Sequence, residues 1–177
     1  MKHFFTRSLL VLSLCSAAPA APAAPDAPAA PNAPEYPQIG PDVYDPKSDG
    51  NAQIATALVT AKTARKNVLL MFGANWCIWC HRLHQTFVLE PSVAQKLREN
   101  YIVVLIDSNW RHGMKRNDDI NRRYGNPLKE GLPVLIVLDA DGRHLATQET
   151  GALEDGQVHS PAKVNDFLAR WSPLPQP

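Results

Sequence analysis

Two cysteines in the middle of the chain, Cys77 and Cys80, are the residues whose type and spacing most clearly predict chemistry. They follow the apolar run from Val68 to Phe72 and precede a helix-compatible segment, so Cys77 falls at a predicted helix start. The first amides of a helix lack intrahelical partners and the helix dipole adds partial positive charge, which together stabilise a thiolate. We therefore expect Cys77 to attack disulfides and Cys80, which should lie deeper, to resolve the mixed disulfide.

The same stretch permits other interpretations. The run Cys77-Ile78-Trp79-Cys80-His81 matches a haem-attachment pattern with His81 as iron ligand, but a haem domain needs helices around the macrocycle rather than a preceding buried strand. A metal site that adds His84 would require one helix to wrap four ligands around zinc. A purely structural disulfide gains little from so short a loop. We favour a redox pair and expect no metal.

Helices and strands alternate around this motif. Asp49 is a plausible N-cap for a helix over 51–66, and the uninterrupted apolar character of 68–72 predicts a central strand covered on both faces. After a turn at 73–76, the pattern predicts a helix over 77–89, a helical piece beginning at Pro91 and a second buried strand over 101–106.

The second half of the predicted domain contains fewer helices. Residues 108–117 have no periodicity and are predicted to form a half-solvated, mobile loop that carries Trp110, Arg111 and His112. A partner-binding loop is the alternative. A short helix through Ile120 and Tyr124 follows, then an apolar strand over 134–138, a hairpin turn at 141–142, a strand through residue 145 and a last helix over 161–171. This order predicts an α/β fold, a central mixed β-sheet flanked by helices on both faces.

Residues 69–80 and the segment Gly131-Leu132-Pro133-Val134 together resemble the thioredoxin superfamily. The resemblance spans about residues 50–172 and is greatest to exported thioredoxin-like proteins related to bacterial disulfide reductases and isomerases. It implies a cis-proline at Pro133 that faces the Cys77–Cys80 disulfide and a Leu132 backbone that offers strand-like hydrogen bonds to a bound substrate chain. It also implies that Trp76 flanks and shields the site.

Four positions depart from that family. Met71 replaces the buried acid of cytosolic thioredoxins, and Val103 stands where its paired lysine would be. Proton transfer to and from Cys80 must then use another group or water. Ile78 and Trp79 separate the cysteines in place of glycine and proline, so no reduction potential carries over. His81 could tune the nearby thiols if its ring turned back over the helix start, but we expect both His81 and His84 to be solvated surface histidines.

The N-terminal region has the layout of an export signal. Basic residues precede a short apolar run and small residues, so 1–20 is predicted to be a signal peptide. Cys15 lies where a lipoprotein signal places its acylated cysteine, but Leu14 disfavours lipidation. A Pro/Ala-rich linker or tail covers 21–47, the thioredoxin-like domain 48–172 and a C-terminal tail 173–177.

Composition excludes several classes of protein. With 45% hydrophobic and 20% charged residues the chain is typical of a globular domain, and a net charge of +1 without a long basic run argues against nucleic-acid binding. We expect an exported, periplasmic monomer, a thiol–disulfide oxidoreductase without an organic cofactor. It would act on protein thiols or disulfides and be recharged by a membrane-embedded redox partner. A client-binding adaptor without turnover is the alternative, and the direction of electron flow stays open.

Overall fold

The computed structural model describes residues 42–174. The predicted signal peptide with Cys15, residues 21–41 of the predicted linker and residues 175–177 lie outside this range. Five helices are present in it: α1 (Gly50–Ala64), α2 (Ile78–Leu89), α3 (Pro91–Asn100), α4 (Asp118–Arg123) and α5 (Pro161–Arg170). The strands are β1 (Asn67–Gly73), β2 (Tyr101–Asp107), β3 (Val134–Leu138), β4 (His144–Glu149), β5 (Glu154–Asp155) and β6 (Val158–His159).

Four strands form one mixed sheet in the order β2-β1-β3-β4. β1 pairs with β2 in parallel and with β3 antiparallel, and β3 pairs antiparallel with β4. β5 and β6 form a separate two-stranded ribbon that was not predicted. The predicted α/β architecture with a central mixed sheet is confirmed.

Side chains of β1 alternate between two cores, which explains why the strand is apolar at every position. Leu69 and Met71 face a cluster built with α2, α3 and α5, whereas Leu70 and Phe72 face a cluster built with α1 and α4. All seven residues of β1 are buried. A strand with helices on both faces has no wet side to favour polar residues.

The helix ends follow ordinary capping chemistry. Asp49 caps α1 as predicted, because its side chain accepts hydrogen bonds from the amides of Asn51 and Ala52. Arg65 ends the helix in the left-handed region (φ 56°), slightly earlier than predicted. Pro161 occupies the first turn of α5, as predicted.

β2 differs from the prediction of a second fully buried strand. It lies at the edge of the sheet, and three of its residues are not buried: Ile102 and Leu105 are partly exposed and Val103 is 37% exposed. An apolar run does not reveal whether a strand has one neighbour or two. The loop that follows also contains a 3₁₀ turn, Arg111–Gly113, and two further 3₁₀ turns cover Pro127–Glu130 and Gly151–Leu153.

Candidate redox site

Cys77 is the N-cap residue of α2, where the sequence places a reactive thiol. Its Sγ accepts a hydrogen bond from the backbone amide of Cys80 at 3.1 Å. The two cysteines form a disulfide with a Cα–Cα distance of 5.2 Å. Cys77 is 7% exposed and Cys80 is fully buried. Cys77 therefore keeps a small exposed fraction under a helix amide, and Cys80 lies behind it with none.

The turn between β1 and α2 is held from both sides. The amide of Cys77 donates to Ala74 O at 2.9 Å, and the amide of Ser108 donates to Gly73 O at 2.7 Å. Gly73 has little room beside its Cα, since a Cβ built there would lie 2.0 Å from Tyr44 Oη and 2.8 Å from Cys80 Sγ. The turn therefore requires glycine at this position.

Three hydrogen bonds converge on Asn75 in that turn. Its Oδ1 accepts from the Tyr44 amide and its Nδ2 donates to Tyr44 O, both at 2.8 Å. Its carbonyl accepts from His81 Nε2 at 2.8 Å. Tyr44 lies in the predicted linker, yet it is 1% exposed and belongs to the core around the cysteines. The sequence signal that could have indicated this burial is the aromatic side chain of Tyr44 in a segment rich in proline and alanine.

The prediction that His81 is a solvated surface residue is wrong. The side chain is 2% exposed, and the bond to the Asn75 carbonyl requires a proton on Nε2. The periodicity of α2 did not reveal this because polar residues surround the position. His84 is half-buried, and desolvation, assisted by the charge of His81, lowers its pKa to about 4.

Trp76, the residue before Cys77, is held by the loop after β2. Its Nε1 donates to Asn109 Oδ1 at 2.9 Å, its ring meets Trp110 edge to face and Arg111 lies over its face. Trp110 is 47% exposed, so the predicted half-solvated character of this loop is confirmed for that side chain.

Trp79, between the cysteines, has a similar environment. The guanidinium of Arg82 lies 4.5 Å from its ring centroid, and the imidazole of His159 meets it edge to face. Burial, with a smaller contribution from the charge of Arg82, lowers the pKa of His159 to about 4. Sequence reasoning missed His159, which comes to the site through β6.

The peptide bond between Leu132 and Pro133 is cis. Phe72 pairs with Val134, so Pro133 lies one step beyond the last pair of strands β1 and β3, beside the turn that carries the cysteines. Thr150 fixes this segment, since its Oγ1 donates to Pro133 O at 2.6 Å. The side chain of Leu132 packs against both core clusters.

The departures at residues 71 and 103 are visible in the fold. Met71 is fully buried among apolar side chains of the cysteine-containing core, while Val103 lies on the edge strand opposite Leu69. Neither side chain can carry a proton.

Within residues 42–174, no three His, Cys, Asp or Glu side chains are grouped so that they could hold a metal ion. None of the helices in that range has the length and apolar character needed to cross a membrane.

Comparison with known proteins agrees with this geometry. The family model of a thioredoxin-like domain matches residues 54–160. A disulphide isomerase structure from Xylella fastidiosa Temecula1 is 30% identical, with a TM-score of 0.64, and the alignment covers 72% of this chain and 95% of that one. The oxidised C-terminal domain of Neisseria meningitidis DsbD shares the fold, with 21% identity and a TM-score of 0.51. That alignment covers 70% of this chain and 97% of the DsbD domain.

A third relative is the thiol:disulfide interchange protein DsbD of Actinobacillus pleuropneumoniae serotype 5b (strain L20), 30% identical over 93 residues. The match covers 52% of this chain but only 15% of that protein. The chain belongs to the thioredoxin-like domain family. Its similarity to a disulphide isomerase and to DsbD makes it a Dsb-type member, as the sequence predicts.

Proposed function

We propose that this protein is an exported thiol–disulfide oxidoreductase that reduces or isomerises disulfide bonds of client proteins. The observation that carries the proposal is the bond from the Cys80 amide to Cys77 Sγ at the start of the twelve-residue helix α2. An amide that donates to the sulfur, together with the helix dipole, favours the thiolate that attacks disulfides. The family membership of the chain supports the same chemistry.

The reaction has two steps. The Cys77 thiolate attacks a client disulfide, a Cys77–client bond forms, and the other client sulfur leaves with the electron pair and takes up a proton. Cys80 then attacks Cys77 Sγ, which releases the second client thiol and leaves the Cys77–Cys80 disulfide of the structure. Two electrons pass to the client. No organic cofactor takes part in either step.

Client chains would bind around Trp76, Leu132 and Pro133. The position of Leu132 and Pro133 directly before β3 supports this role, because backbone next to a strand can pair with an extended peptide. Ile78 and Trp110 are 39% and 47% exposed and add apolar surface beside the cysteines. We propose that the protein acts as a monomer and that a membrane-embedded redox partner returns electrons to the Cys77–Cys80 pair.

Export would depend on the signal peptide at residues 1–20, with the Pro/Ala-rich segment 21–47 as a spacer ahead of the domain. Replacement of Leu9 and Leu10 by charged residues would retain the protein in the cytoplasm. Cell fractionation of wild type and this variant measures that outcome, and equal periplasmic yields would contradict export by this segment.

The test of the activity is insulin reduction with dithiothreitol as electron donor. We expect Cys77→Ser to abolish the acceleration and Cys80→Ser to trap a mixed disulfide visible by mass spectrometry. Unchanged reduction by Cys77→Ser would contradict the enzyme and favour a client-binding adaptor. Equilibration of Cys77 and Cys80 with glutathione then gives the direction of electron flow, because each ~30 mV corresponds to ~1.4 kcal/mol.

A further inference from the structure

The resolving cysteine has no carboxyl group below it on β1. Position 71 is occupied by the buried thioether of Met71, so β1 offers no carboxylate to accept the Cys80 proton. A fully buried sulfur ionises with difficulty, since desolvation disfavours the charged form. Some neighbouring polar group must therefore stabilise the Cys80 thiolate if the second step is to be fast.

Tyr44 brings a hydroxyl to this position from outside the region that resembles thioredoxin. A Cβ built on Gly73 would lie 2.0 Å from Tyr44 Oη and 2.8 Å from Cys80 Sγ. The phenol oxygen and the sulfur are therefore neighbours that share the space beside one glycine. Tyr44 is 1% exposed, so water does not compete for this position.

The backbone at Tyr44 is fixed by the same turn that carries the cysteines. Asn75 makes two hydrogen bonds to it, one in each direction and both at 2.8 Å. Because Asn75 also accepts the bond from His81, hydrogen bonds link the Tyr44 backbone, the turn and the start of α2. Such an arrangement orients the hydroxyl in advance of the reaction.

We propose that the Tyr44 hydroxyl donates a hydrogen bond to Cys80 Sγ as this sulfur becomes a thiolate, and so accelerates resolution of the mixed disulfide. The inference rests on the proposed function. In this step Cys80 gives up its proton to water and its Sγ bonds to Cys77 Sγ, while the bond from Cys77 to the client sulfur breaks. The electron pair leaves with the client sulfur, which takes up a proton, and Tyr44 ends the step unchanged.

Asp107 is an ionisable group that could act on Cys80 in a different way, as a carboxylate that accepts its proton. It pairs with Gly73 across the sheet, and its carboxylate is 4% exposed and lies 3.3 Å from Arg116 Nε. Asp42 adds a second negative charge near Asp107. Since the carboxylate is already engaged by Arg116, we assign the stabilisation of Cys80 to Tyr44 and include Asp107→Asn as a comparison.

The test separates the two chemical steps. Tyr44→Phe keeps the ring beside Gly73 and removes only the hydroxyl. Reduced protein is mixed with a peptide disulfide, quenched with acid and analysed by mass spectrometry for mixed and internal disulfides. We expect Tyr44→Phe to form the mixed disulfide at the wild-type rate, to resolve it about tenfold more slowly and to shift the pH profile of resolution upward.

Tyr101→Phe is the matched control. Tyr101 is also buried, but it lies at the start of β2, at the opposite end of the strand pair from Gly73. Its hydroxyl donates to Leu168 O at 2.6 Å. We expect this variant to leave both steps unchanged. A second measurement compares the ultraviolet thiolate absorbance of Cys80 against pH in Cys77→Ser with and without Tyr44→Phe, where an upward shift in the double variant supports the proposal.

Two outcomes overturn the inference while the proposed function stands. One is resolution by Tyr44→Phe at the wild-type rate with an unchanged pH profile. The other is a pH profile of resolution that shifts in Asp107→Asn but not in Tyr44→Phe. If wild type forms no mixed disulfide with any client, the proposed function fails, and the inference about Tyr44 fails with it.

Discussion

The indoles of Trp76 and Trp110 meet edge to face with centroids 4.8 Å apart, which joins the turn before the first cysteine to the loop after β2. Arg111 lies over the same Trp76 ring, 4.1 Å from its centroid. Edge-to-face pairs and cation–π contacts each contribute about 1 kcal/mol. Together they keep an exposed aromatic, Trp110, beside the disulfide.

Removal of that exposed ring should weaken client binding and leave the chemistry intact. We predict that Trp110→Ala raises the KM for unfolded protein clients that contain disulfides about threefold to tenfold, since aromatic anchors at interfaces contribute about 1 kcal/mol or more. The kcat, and the rate with 2-hydroxyethyl disulfide, should stay at wild-type values. Val59→Ala is the control, because Val59 is 69% exposed on α1, away from the cysteines. A fall in kcat at constant KM would contradict this role.

The hydroxyl of Thr150 should matter for the cis segment. Thr150→Val removes the donor to the Pro133 carbonyl and leaves a buried oxygen unsatisfied, which costs about 1–3 kcal/mol in the free energy of unfolding. We also expect a higher KM for peptide disulfides, because Pro133 loses its support. Urea unfolding and steady-state kinetics measure both effects. Thr150→Ser keeps the donor and should retain most of the stability, so equal losses in both variants would refute the hydrogen-bond explanation.

A methyl group on Gly73 should disturb the site directly. We predict that Gly73→Ala lowers the free energy of unfolding by about 1–3 kcal/mol, because the Cβ clashes with Tyr44 Oη and Cys80 Sγ in a packed core. Urea unfolding of the oxidised protein measures this. Gly151→Ala is the matched control, since its Cβ would meet only the end of the Glu149 side chain. Equal small effects at both positions would mean that the core beside Cys80 adjusts freely.

The buried imidazole of His159 predicts a pH dependence of stability. Its pKa falls from 6.5 to about 4 in the folded protein, mainly through burial. Between these values the unfolded chain binds a proton that the folded protein does not, so the free energy of unfolding falls as the pH drops from 6.5 toward 4. His84 acts in the same direction.

We predict that the free energy of unfolding of His159→Gln falls by about 1–2 kcal/mol less than that of wild type as the pH drops from 6.5 toward 4. Urea titrations of wild type and variant at several pH values between 7 and 4 measure the difference, and carboxylates contribute equally to both proteins. Parallel pH profiles for the two proteins would show that His159 does not titrate as a buried group.

Local chemistry explains why so much of this protein could be predicted. The strand β1, the helix that starts after Cys77 and the cap at Asp49 each depend on patterns within a few residues. The pairing of Cys77 with Cys80 also follows from short spacing, since residues three apart on a helix are neighbours. Fold class and the disulfide were therefore accessible from residues alone, with the thioredoxin resemblance adding the cis-proline.

Other features depend on contacts between distant segments, and only the tertiary structure decided them. The edge position of β2 depends on which strands pair, and the burial of His81 on an Asn75 carbonyl that becomes a partner only after the turn folds. Tyr44 reaches Cys80 because Asn75 binds its backbone across 31 residues of sequence. Short-range sequence patterns predict which cysteine is reactive, whereas long-range packing decides which polar groups surround it.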